Sequence, residues 1–63
     1  MDVVIPEGSR NATMSRFAGI VIKKYGDTEK SYQSFLEKAA TCVPPLDNSE
    51  LNTIWHSAQR FYS

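Results

Sequence analysis

Apolar residues fall into three helical stripes separated by two joints. Met14, Phe17, Ala18, Val21, Ile22 and Tyr25 stand at i, i+3, i+4, i+7, i+8 and i+11, the spacing that gathers side chains on one face of an α-helix. Tyr32, Phe35, Leu36, Ala39 and Val43 repeat the pattern, and Leu51, Ile54, Trp55, Ala58, Phe61 and Tyr62 repeat it again. Local signals bound each stripe. Asn11, with Ser9 as the alternative, offers a side-chain oxygen to the first free N–H groups of helix one, and Gly26 stops that helix. Asp27 or Thr28 caps helix two, and Glu29 places a negative charge in its first turn, where the dipole favours one. Pro44-Pro45 ends it, because proline cannot donate and pushes the preceding residue out of the α region. Asp47-x-x-Glu50 reads as a capping box for helix three, with Asn48 as an alternative cap.

These signals predict helices over residues 11–25, 28–42 and 48–62 in an all-α fold, a small three-helix bundle with an extended N-terminal segment. Met1 to Pro6 is too short to be stable alone, so it lies across the bundle or continues a linker from a preceding domain. The large apolar members of the stripes, Tyr62 excepted, form the expected core together with Leu46.

At 63 residues there is room for one domain and hardly for a deep catalytic cavity. The single cysteine, Cys42, excludes an internal disulfide and fits a reducing, cytoplasmic setting. No apolar run approaches the roughly 20 residues that span a bilayer, so no membrane role is expected. One histidine and one cysteine cannot build a structural zinc site, and no phosphate-binding loop, dinucleotide fingerprint or paired metal-binding acids occur. Asn11-Ala12-Thr13 matches a glycosylation acceptor by chance, without a secretory signal. The expectation is a non-enzyme on its own, with no catalytic residue, no metal and no cofactor.

Seven basic residues balance seven acidic ones, but unevenly along the chain. Residues 10–25 carry Arg10, Arg16, Lys23 and Lys24 and no acid. Arg16 and Lys23 project opposite the core stripe beside Ala12 and Gly19, with Ile20 on the same outer side. Such a face suits a nucleic-acid strand or a neighbouring domain. Ordinary solvated surface, with Lys23 and Lys24 complementing the helix dipole, is the competing reading. Arg10 is unfavourable to the dipole at a helix start and needs another reason for its position. With Gly8, Ser9, Asn11 and Thr13 it outlines a phosphate or carboxylate site at an open, positively charged entrance. The alternative is that Asn11 merely caps while Arg10 pairs with Glu7 or a carbonyl. On helix three, Asn52, His56 and Arg60 form an outward row that either contacts bases and phosphates or is solvated surface.

The landmarks come in a definite order. Ile5-Pro6-Glu7-Gly8-Ser9-Arg10-Asn11 precedes helix one, Pro44-Pro45-Leu46 precedes Glu50-Leu51, and Ile54-Trp55-His56-Ser57-Ala58 follows. This set resembles the primase C-terminal (PriCT) family, small helical domains behind the catalytic core of phage and plasmid replication primases. The likeness runs from about Ile5 to Tyr62, with Met14 where leucine is more usual. It implies a domain excised from a larger primase, the two-metal acidic active site lying in a separate preceding domain. The implied role is to help grip single-stranded template DNA and the initiating nucleoside triphosphate. Gly8, Arg10 and Asn11 would then lead the site, with Pro44, Pro45 and Glu50 as architecture, in a monomeric domain. Two other roles compete. A docking domain linking primase and helicase parts is motivated by Ile20 and the Val3-Val4-Ile5 run. A helix-turn-helix binder of duplex DNA is disfavoured by the long joint Val43 to Asp47, and by Asp47 and Glu50 where phosphate would lie.

Overall fold

The computed structural model describes residues 5–62, so Val3 and Val4 of the opening apolar run lie outside the described residues. The element order is β1 (Ile5–Pro6), a 3-10 turn (Glu7–Ser9), α1 (Arg10–Tyr25), α2 (Glu29–Ala39), β2 (Cys42–Val43) and α3 (Asn48–Tyr62). Three helices surround one core, as the periodicity predicts, with α1 packed against both α2 and α3.

α1 begins at Arg10, and its N-cap is Ser9 with no side-chain cap, not Asn11. The reason is the 3-10 turn that runs straight into it: the Arg10 N–H donates to Glu7 O, so the helix start needs no asparagine. Gly26 ends the helix as expected, at φ 82° and ψ 177°, its N–H donating to Ile22 O at 2.8 Å. That backbone region is essentially reserved for glycine. Gly26→Ala is therefore expected to lower the unfolding free energy by about 1–3 kcal/mol. A urea titration reads it, and an unchanged midpoint would mean that the turn relaxes without strain.

α2 starts on Thr28, whose Oγ1 accepts from the Ser31 N–H at 3.3 Å. Ser31 is fully buried, and its hydroxyl reaches Gly26 O at 2.6 Å and Val21 O at 3.2 Å, tying the start of α2 to the end of α1. The helix stops at Ala39, short of the expected residue 42. Thr41 closes it, donating from both its backbone N–H (3.0 Å) and its hydroxyl (2.7 Å) to Lys38 O. The chain then becomes extended: Cys42 and Val43 pair in parallel with Ile5 and Pro6, and the Ile5 N–H donates to Thr41 O at 3.1 Å. A cis Val43–Pro44 bond follows. α3 opens with the reciprocal capping box, Glu50 N–H to Asp47 Oδ1 at 2.8 Å and Asp47 N–H to Glu50 Oε1 at 3.3 Å.

The core centres on Phe35 and Met14, with Ile5, Ala18, Val21, Ile22, Cys42, Leu46, Ile54 and Trp55 around them. Phe35 stacks against Tyr32 (ring centroids 6.4 Å apart) and lies 4.9 Å from Trp55. Three expected core residues are exposed instead: Tyr25, Val43 and Phe61. Tyr25 and Phe61 occupy the last turns of their helices, where each stripe runs on past its packing partners. Val43 sits on β2, outside the helical phase that made it look buried.

Candidate nucleic-acid interface

The expected phosphate site at the start of α1 is closed. Arg10 folds inward with only 14% of its side chain exposed. Its Nη1 donates to Pro44 O at 2.6 Å and Pro45 O at 3.0 Å, while Nη2 lies 4.0 Å from Glu7 Oε2. Both carbonyls belong to prolines, and the one Nη1 atom serves them both from across the fold. This is the carbonyl-pairing alternative, and it corrects the expectation of an open, positive entrance. Gly8 and Asn11 are exposed, and Ser9 Oγ donates to Pro6 O at 3.5 Å. Thr13 is half-buried. These residues surround a structural clamp that joins the Gly8–Asn11 stretch to Pro44-Pro45.

Positive charge is accessible elsewhere. Arg16 and Lys23 are exposed on the outer face of α1, as expected. Gly19 is not part of that open face: the Tyr62 ring covers it so closely that a Cβ there would lie 2.6 Å from Tyr62 Cε2. Lys23 Nζ stands 5.7 Å from the centroid of the same ring. At the end of α1, Tyr25 is 39% exposed and carries two ammonium groups, Lys24 Nζ at 5.3 Å and Lys30 Nζ at 4.8 Å. Lys30 comes from the first turn of α2, so the Gly26–Thr28 joint folds two lysines onto one ring. Sequence reasoning missed Lys24, Tyr25 and Lys30 as a group, because the helical phase sent Tyr25 inward and Lys30 belongs to another helix.

On α3, His56 and Arg60 are exposed as expected, as is Asn52. His56 Nδ1 lies 2.9 Å from Gln59 Oε1, and Gln59 Nε2 donates to Asp27 Oδ1 at 3.0 Å and Oδ2 at 3.3 Å. Arg60 borders a shallow hollow with Ser57 and Phe61. Cys42 is buried, which pushes its thiol pKa up against the opposing pull of the Arg10 and Lys38 charges. It is poorly placed as a nucleophile. Among the described residues no group of three His, Cys, Asp or Glu could hold a metal ion, and no helix is long and apolar enough to cross a membrane.

Comparison with protein-family models, with curated protein sequences and with solved structures finds no match.

Proposed function

We propose that this domain is an accessory helical module of a replication primase that holds single-stranded DNA, and with it the initiating nucleotide, while a separate domain performs the chemistry. The observation that carries the reading is the exposed Tyr25 ring flanked by Lys24 and Lys30. A base stacks on an aromatic face whatever its identity, and the ammonium groups that lie over the ring swing out to meet the adjoining phosphates as it does so. Lys23 over Tyr62 offers a smaller version of the same pairing on the outer face of α1. The Arg10 clamp joins two of the stretches on which the resemblance to PriCT domains is drawn. It also moves the nucleic-acid role away from Arg10 and onto the surface lysines and tyrosines.

Titration of labelled protein with an eight-nucleotide single strand, and separately with ATP, tests the reading at low and high salt. Amide signals of residues 23–30 are expected to shift, with weak affinity that falls as salt rises. Tyr25→Ala should weaken strand binding about fivefold or more, since stacking contributes roughly 1–3 kcal/mol per base. Unmoved signals over residues 23–30 with both ligands would end the proposal.

A second reading, docking between primase and helicase parts, rests on a different observation. Phe61 is 80% exposed beside a groove of about 280 Å³ lined by Ser15, Ile54, Ser57, Ala58 and Tyr62. Co-purification with a flanking domain, lost in Phe61→Asp and kept in Tyr25→Ala, would favour it.

A further inference from the structure

The Gly26–Thr28 joint, the first turn of α2 and the middle of α3 line an open cleft of about 400 Å³. Tyr32 and Trp55 form its apolar part, their rings 5.3 Å apart and tilted by 57°. Asp27, Glu29, Asn52 and His56 supply its polar part. These groups are rich in acceptors. A carboxylate only accepts, so the Gln59 –NH₂ must face Asp27 and its Oε1 must face His56. His56 Nδ1 therefore carries the proton, and in the neutral ring Nε2 is left as an acceptor. Asp27, two hydrogen bonds away through the Gln59 amide, fixes the tautomer of His56.

We infer that this cleft takes a nucleobase bearing an exocyclic amino group, from the strand whose neighbouring base stacks on Tyr25. The inference rests on the single-strand reading and adds a base preference to it. The half-buried Tyr32 ring, rather than the buried Trp55, offers a planar base its apolar contact, and carboxylate, imidazole and amide oxygen acceptors suit an amino donor. The two carboxylates keep phosphate out of the cleft, so the base enters and the backbone stays with Lys24 and Lys30. A cationic side chain is the competing occupant of an acceptor-rich cleft, and the experiment below separates the two. Cytosine satisfies the chemistry through its amino group, whereas thymine presents a carbonyl and a methyl in its place.

The test compares (dC)8 with (dT)8, two pyrimidine strands that differ at that position. (dC)8 is expected to bind about fivefold or more tightly and to shift the amides of Asn52 and His56. Asn52→Ala, a change at an exposed position, should bring the two affinities together while leaving the salt dependence intact. Equal affinities with unmoved cleft signals, while residues 23–30 still respond, would overturn the base preference and leave strand binding standing. No response anywhere to either strand would remove both. Cleft signals that shift with N-acetyl-arginine amide and with neither strand would overturn the inference in favour of a protein contact.

Discussion

Phe35→Ala is expected to leave the domain largely unfolded at 25 °C. Phe35 is completely buried between Tyr32 and Trp55, and removing its ring forfeits burial and leaves a cavity, together about 3–5 kcal/mol. A chain of 63 residues has a total stability of roughly 3–9 kcal/mol at the usual margin per residue. In the lower half of that range one side chain carries as much as the whole margin. Far-ultraviolet circular dichroism and Trp55 fluorescence against temperature read the outcome together. A Tm lowered by less than about 10 °C would show that the core does not depend on this ring.

Arg10→Met is expected to cost about 2–3 kcal/mol. The guanidinium makes two charge-assisted hydrogen bonds to the Pro44 and Pro45 carbonyls, and methionine keeps much of the stem while removing both. Arg10→Lys should recover only part of the loss, because a compact ammonium group is more strongly hydrated than a guanidinium and loses more in so buried a position. Thermal melts measure the energy, and amide shifts confined to residues 7–10, Val43 and Leu46 locate it. Unchanged stability would return Arg10 to the role the sequence suggests, a cation free to meet phosphate.

These two residues illustrate how unevenly the chain reveals itself. Phe35 follows from spacing alone, since it lies in phase with Leu36 and Ala39 on a helix whose stripe is unambiguous. The same logic finds Gly26, Thr28 and the Asp47–Glu50 box, because caps are local chemistry. Arg10 shows where spacing fails. Its misfit with the dipole is visible, but its partners are backbone oxygens 34 and 35 residues away. The end of α2 fails for a related reason. Val43 keeps step with Ala39, yet Thr41 closes the helix and Cys42 pairs with Ile5, a long-range choice that periodicity does not encode. Gly19 reads as an open, outward position until Tyr62, from the last turn of α3, lies across it. The accessible lysines and tyrosines are likewise assembled by the fold: Lys30 meets Tyr25 only because the joint at Gly26 turns α2 back.

The two-residue parallel ladder has a mechanical consequence. Ile5 is held to Thr41 and Cys42, so the leading edge of the domain is fastened at the joint between α2 and α3 and not to α1 alone. Tension applied ahead of Ile5 would load that joint first. From there it passes to the Pro44-Pro45 carbonyls gripped by Arg10 and, through the buried Ile5 side chain, to the core.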